Sequence, residues 1–208
     1  MTDHQIASLA QLEALYDTAN TTNAGSLLKE TGVITNEYRR LIEASPFMAM
    51  ATVGPGGADC SPRGDQPAVV TVVDEQTIHI PDRRGNNRID SLRNIVQDGR
   101  VALMFLLPGT NLCVRVNGTA VVVTDPEVLA SCTVANKAPK SVVVVTTHAV
   151  YFQCARAIKR STLWDPEQFI DPATLPTVGD VMIAVTGGDF DGATYDAELE
   201  DRQNRTLY

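Results

Sequence analysis

Four arginines, Arg83, Arg84, Arg88 and Arg93, fall within eleven residues of a chain whose net charge is -8. They sit in the run I-P-D-R-R-G-N-N-R-I-D-S-L-R, between a short apolar strand pattern (Ile78, Ile80) and a helical one (Ile89, Leu92, Ile95, Val96). A strand, a turn rich in arginine and asparagine, and then a helix start make a natural anion site. Guanidinium forks grip phosphate oxygens in pairs, and the unpaired amides of a helix start point at the ligand. Spacing alone leaves an equal alternative, a solvated turn whose arginines pair with Asp82 and Asp90. A second basic group, Arg156, Lys159 and Arg160, has i, i+3, i+4 spacing and would form one stripe of a helix. Hydroxyl and amide side chains flank both groups (Asn86, Asn87 and Ser91; Ser161 and Thr162), and the sole tryptophan, Trp164, follows the second. Arginines for a phosphate and an indole for a ring would suit a phosphorylated, planar aromatic ligand. Against this stand two plainer readings: Trp164 fills the core, which composition favours, and the stripe is a solvated face.

No nucleophile or acid–base motif accompanies these groups. G-x-S-x-G, H-E-x-x-H and a Cys–His pair close in sequence are all missing. The four cysteines form no C-x-x-C and the three histidines are far apart, so a structural zinc site is not expected. Reduced, mostly buried cysteines are expected, as is a satisfied core or interface role for His148. A chain without such groups can still do chemistry if a cofactor carries the hard step.

The elements that would hold these residues are mostly strands. Residues 5–19 repeat apolar side chains at helical spacing (Ile6, Leu9, Leu12, Leu15, Tyr16), which predicts an amphipathic helix. A polar linker over 21–32 follows. Thr35 is the expected N-cap of a helix over 36–44, with Ile34 as its staple residue. Strands are expected at 47–53, 58–61, 68–73 and 77–80, with Gly54-Pro55-Gly56-Gly57 as a plain turn. The arginine-rich helix should start near Arg88. A strand over 100–107 lacks alternation and should be buried on both faces. One over 112–124 alternates, with Leu112, Val114 and Val116 on one face, and Gly118 interrupts it as a bulge or barrel corner would. Asp125-Pro126 opens a helix to about Val134. A strand over 141–151 precedes a helix over 152–161 with Cys154 and Ile158 inward. The rest reads as an extended arm, with a turn at 186–191. Six or seven strands joined by short turns favour a mainly β architecture, an antiparallel barrel with peripheral helices.

Bulk properties agree with a soluble globular chain. There are 208 residues, 44% of them hydrophobic, with a mean hydropathy of -0.05. No apolar run approaches membrane-spanning length, and no secretory signal is read at the start, so a cytoplasmic location is expected. The pI near 4.8 argues against nucleic-acid or anionic-membrane partners, yet permits a small anion in a local basic pocket.

Four stretches, taken in order, carry a resemblance. They are Ser61-Pro62-Arg63-Gly64-Asp65; the run from Ile80 through Asn87 and Arg88 to Leu92; Arg115-Val116-Asn117-Gly118; and the run from Cys154 to Ser161 before Leu163-Trp164. The chain resembles the FMN-dependent branch of the pyridoxamine 5'-phosphate oxidase-like flavoproteins. The resemblance spans about residues 34–164. It implies a split β-barrel that dimerises and binds FMN at the subunit interface. It implies phosphate binding by Arg84, Asn87 and Arg88, with Pro81, Asp82, Arg83, Asn86 and Ser91 close by. Arg63 and Gly64 would lie along the flavin, and Lys159, Arg160 and Trp164 would come from a second copy. Residues 1–33 would form an N-terminal helical extension, 34–166 the FMN-binding barrel, and 167–208 an arm on the barrel or the partner. The chain lacks the R-x-V-L-L-K strand and the Arg/His-bearing C-terminal segment of authentic pyridoxamine phosphate oxidases. The implied activity is therefore FMN-dependent oxidoreduction of an unknown small molecule, by hydride transfer at flavin N5. Two alternatives are a non-enzymatic flavin-binding or flavin-sensing dimer, and a split barrel using deazaflavin or haem, with His79 and His148 as the available axial ligands.

Overall fold

The structure, a computed structural model, describes residues 4–16 and 24–208. Seven strands form one antiparallel sheet: β1 (Phe47–Gly54), β2 (Gly57–Gly64), β3 (Thr71–Val72), β4 (Thr77–Pro81), β5 (Arg100–Leu106), β6 (Cys113–Val123) and β7 (Val142–Gln153). Their order across the sheet is β2-β1-β5-β6-β7-β4-β3. The sheet curls into a split barrel, because the inward residues of five adjacent strands share one core. That core includes Met48 and Met50, Leu103 and Phe105, Val114 and Val116, Val143 and Val145, and Ile78 and Ile80. Helix α3 (Asn36–Glu43) adds Tyr38 and Ile42 to the same core. Its N-cap is Thr35, whose Oγ1 accepts from the Tyr38 amide at 3.3 Å.

The first helices lie outside this core. Helix α1 (Leu9–Tyr16) has no buried residue, and Leu9 is 74% exposed. Residues 17–19 of the expected helix and 21–23 of the expected linker lie outside the described residues. Helix α2 (Ala24–Leu28) precedes a bridge between Thr31 and Val150.

Several elements differ from the sequence expectation, each for a local reason. Strand β5 does alternate: Val101, Leu103 and Phe105 are buried while Met104 is 40% exposed, because only one face meets the core. Leu112 does not share the face of Val114 and Val116; it precedes β6 and is exposed. Strand β2 runs on through Pro62 to Gly64, where edge position lets a proline pair without an amide. Of residues 68–73, only Thr71–Val72 is strand. Helix α4 is Asp90–Gln97, starting two residues after Arg88, because Asn87 (φ 62) and Ile89 (φ 53) are left-handed. Helix α5 is Pro126–Ser131, with Asp125 accepting at its start and Cys132 as its C-cap. Strand β7 continues to Gln153, pairing Phe152 with Val114, so the late basic helix α6 shrinks to Arg156–Arg160. Ile158 is buried as expected, whereas Cys154 is exposed, as is Cys60.

The tail is not an extended arm. After 3-10 turns at Pro166–Gln168 and Pro172–Thr174 come α7 (Val178–Val185) and α8 (Gly192–Arg205). A reciprocal capping box between Thr177 and Asp180 starts α7, and Asp191 caps α8. Gly187 (φ 67) and Gly188 (φ 99) make the expected turn between them. The two helices meet at Gly179 and Gly192; a Cβ on Gly192 would lie 2.7 Å from Ile183 Cδ1 and 2.8 Å from the Gly179 carbonyl oxygen.

Gly118 marks the expected bulge, a register shift between Asn117 and Gly118 against β7. A Cβ there would fall on the Thr146 carbonyl oxygen, which belongs to the partner strand's backbone. Gly118→Ala should therefore force the β6–β7 backbones apart and lower unfolding free energy by about 1–3 kcal/mol. Urea denaturation followed by circular dichroism measures it. An unchanged midpoint would show that the strands have slack at the bulge.

Candidate functional site: a polar cleft between β2 and α4

Strand β2 and the Pro81–Ser91 connection face each other across a cleft of about 1260 Å³. Its walls are Asp59 to Asp65 on one side and Ile80 to Leu92 on the other, with Lys137 to Lys140 and Tyr208 completing it. Helix α4 is held to β2 by Ser91, which is only 3% exposed. Its hydroxyl donates to Asp59 Oδ2 at 2.7 Å and lies 3.0 Å from Ser61 Oγ. The N-cap position of α4 is Ile89, which offers no side-chain acceptor. The first amides of the helix thus have no side-chain cap among the described residues where they border the cleft.

Arg63 and the four clustered arginines divide by partner. Arg63 Nη1 pairs with Asp82 at 3.3 Å, while its buried Nε has no partner among the described residues. Arg83 Nε donates to Asp65 Oδ2 at 2.6 Å and its Nη1 to the Cys132 carbonyl at 2.7 Å. Those bonds tie Arg83 into the scaffold. Arg88 Nε pairs with Asp90 Oδ2 at 2.8 Å, with its side chain 77% exposed. Asn86 Oδ1 accepts from the Arg88 amide at 3.1 Å and shapes the turn. Arg84 is exposed and has no hydrogen bond or ion pair among the described residues. Arg93 leans on Asp90 at 3.4 Å and does not line the cleft. Arg88 and Arg93 thus pair with Asp90 on the surface, as a solvated turn would, whereas Arg84 does not.

At Gly64 and Gly85 the chain itself does not demand glycine. A Cβ at Gly64 would come no closer than 3.6 Å to other atoms, and at Gly85 it would meet nothing within 4 Å. Both residues line the cleft.

The second basic group stays apart from the first within one chain. Lys159 and Trp164 line a separate shallow hollow of about 340 Å³ with Gly109, Asn111 and Ile158. Trp164 Nε1 is buried there without a partner among the described residues. Arg160 is exposed and borders neither recess.

The histidines sit elsewhere. His148 is exposed on β7, 3.4 Å from Thr119 Oγ1, rather than in the core. His79 is half-buried on β4, and burial pulls its imidazole pKa down. Neither lines the cleft. Among the described residues no cluster could hold a metal ion, and no helix is long and apolar enough to cross a membrane.

Sequence reading missed Asp59, the Lys137–Lys140 loop and Tyr208. Lys137-Ala138-Pro139-Lys140 is a basic proline loop between two elements, a signal that could have been weighed. Tyr208 had none, since it meets Asp65 across 143 residues. Its hydroxyl donates to Asp65 Oδ1 at 2.7 Å, and Lys137 Nζ donates to its backbone oxygen at 2.7 Å.

Burial pushes the Asp65 carboxyl pKa up, but hydrogen bonds from Tyr208, Arg83 and the Gln66 amide outweigh it, so it lies below the ordinary 3.8. A depressed carboxylate contributes stability that is complete above the unfolded-state value and lost as pH falls through the lower folded value. Asp65→Asn should destabilise the protein at pH 7 by about 1–3 kcal/mol. It should also flatten the loss of stability below pH 3.8. Urea midpoints measured from pH 7 down to pH 3 check both; parallel curves for the two proteins would contradict the assignment.

The model of the pyridoxamine 5'-phosphate oxidase family matches residues 34–154. No curated protein matches the chain. Among solved structures, the chain is similar to the HupZ protein of Group A Streptococcus, at 23% identity over 56% of this chain and 91% of that one, with a TM-score of 0.46. It is similar to a candidate pyridoxamine 5'-phosphate oxidase from Lactobacillus delbrueckii, at 24% over 58% and 95%, with a TM-score of 0.48. An F420 reductase matches at 18% over 58% and 98%, with a TM-score of 0.41. The matched stretch covers the whole barrel and more than half of the sequence, and the chain belongs to the pyridoxamine 5'-phosphate oxidase family.

Proposed function

We propose that the cleft binds FMN and that the protein is an FMN-dependent oxidoreductase acting on a small molecule. The carrying observation is an unpaired guanidinium, Arg84, lining the same cleft as a helix start without a side-chain cap, a cleft large enough for a nucleotide. Both features suit a phosphate. Arg84 and the first amides of α4 would take its oxygens, with Arg88 turning from Asp90 to join them. Asn87 and Asn86 hold the turn that presents these groups. Arg63 and Gly64 would lie along the ring system. Asp82 steadies the Arg63 guanidinium while its buried Nε keeps a free N–H, and the missing Cβ of Gly64 lets a planar group approach the strand. Bound flavin would supply hydride acceptance and release at its N5.

Lys159, Arg160 and Trp164 are too remote from the cleft of their own chain, so we propose that a second copy brings them to it in a homodimer. The buried, unpartnered Trp164 Nε1 supports a ligand or subunit contact at that hollow.

One observation favours a second reading, a flavin-binding protein without turnover. Every carboxylate in the cleft is already engaged: Asp59 by Ser91, Asp65 by Arg83 and Tyr208, Asp82 by Arg63, Asp90 by Arg88. A free proton acceptor is thus missing among the described cleft residues. Anaerobic mixing of the flavin-loaded protein with NADH or NADPH separates the readings. Bleaching of the flavin absorbance fits the oxidoreductase; persistent colour with every donor fits the carrier.

Arg84→Ala should weaken FMN binding roughly 10- to 150-fold, about 1.5–3 kcal/mol. Arg88→Ala should cost less, because Arg88 must first leave Asp90. Isothermal titration gives both values, and unchanged affinity in Arg84→Ala would place the phosphate elsewhere. Sedimentation should give twice the 22.4 kDa chain mass. Mixing Arg84→Ala with Arg160→Ala subunits should restore one intact site per mixed dimer. No recovery on mixing would show that each cleft is complete within one chain.

A further inference from the structure

Tyr208 reaches the cleft from beyond the end of a helix pair that packs mainly on itself. Helices α7 and α8 pack on each other, and neither has a broad contact with any strand. Among the described residues, the hydrogen bonds joining this pair to the barrel are the two at Tyr208: its hydroxyl to Asp65 and its backbone oxygen to Lys137. Both partners line the cleft, and so does Tyr208 itself.

Position along β2 says where this happens. Ser61 marks the α4 end of the cleft, through Ser91. Asp65 lies four residues further along, roughly 13 Å away for near-extended backbone. The phenol therefore stands at the Asp65 end of the cleft, where Arg83 also bonds. Asp65 is a firm post for it. Its side chain is 3% exposed, and Arg83 holds its other oxygen at 2.6 Å. Lys137 is exposed and lies on a loop, so the other attachment is a single ammonium contact at the surface. An aromatic wall held by two hydrogen bonds, on a helix pair with little other attachment, is built to open by itself.

We propose that Tyr208 is a binding-site residue of the cleft and that its contacts with Asp65 and Lys137 latch the α7–α8 pair shut, setting the rate at which ligand enters and leaves. The ligand half of this inference rests on the flavin reading above; the latch half does not.

Two variants test it. Tyr208→Phe keeps the ring and removes the bond to Asp65. Lys137→Ala leaves Tyr208 whole and removes the other attachment. In the ligand-free proteins, amide hydrogen exchange over residues 202–208 should quicken roughly 3- to 10-fold in each variant, with exchange in β5 and β6 unchanged. Exchange unchanged in both variants would overturn the latch. For FMN measured by stopped-flow fluorescence, association and dissociation should both quicken by a similar factor, leaving Kd within about twofold. Faster dissociation with unchanged association would make Tyr208 an ordinary ligand contact and overturn the gating role. Wild-type protein that binds no FMN would remove the flavin reading and the ligand half together, while the exchange measurement still decides the latch.

Discussion

The docking of α4 onto β2 through one buried hydroxyl underlies the site. Ser91 sits in the first turn of the helix and bonds Asp59 while contacting Ser61. Asn94, one turn on, donates to Thr52 of β1 at 3.1 Å, so the helix is tied to two neighbouring strands. A hydroxyl buried to this degree needs its partners, and a carboxylate acceptor gives the stronger kind of bond. The helix start is thereby fixed beside the sheet edge, and the Pro81–Asp90 connection must arch over the space between. The cleft lies between that arch and strand β2.

Charge is handled differently among the arginines of the cleft. Arg63 and Arg83 each meet a carboxylate and are largely shielded, with side chains 22% and 18% exposed. They behave as struts. Arg84 and Arg88 lie on the outer turn, where their charge is screened by water and free to be redirected. A chain of net charge -8 thus keeps Arg84 without a carboxylate partner among the described residues, while Asp65 and Asp82 are taken by Arg83 and Arg63.

Much of this architecture was legible in the residues. The Thr35 cap, the Gly118 bulge and the antiparallel β pattern follow from local chemistry and period, and the structure places them as expected. The cleft's arginine-bearing wall was also visible, as a charge cluster between a strand and a helix. What was not visible depends on partners far along the chain. The helix of the arginine stretch begins late because Asn87 and Ile89 adopt left-handed backbone, which no periodicity reports. Strand β7 consumes the start of the expected late helix because β6 offers it pairing partners up to Cys113. The helices of the tail were hidden by three prolines that suggested extension, although the Thr177–Asp180 box was there to be read. Tyr208 could be assigned to the cleft only once the fold brought it to Asp65.

Connectivity adds a temporal side to that last contact. Strand β2 and helix α4 both precede residue 100, whereas α8 begins at Gly192. Synthesis runs from the N-terminus, so a growing polypeptide presents the arginine corner long before the aromatic wall is made. Closing a span of 143 residues is also among the slower steps available to such a topology. The wall at Tyr208 is consequently the last part of the cleft to leave the ribosome.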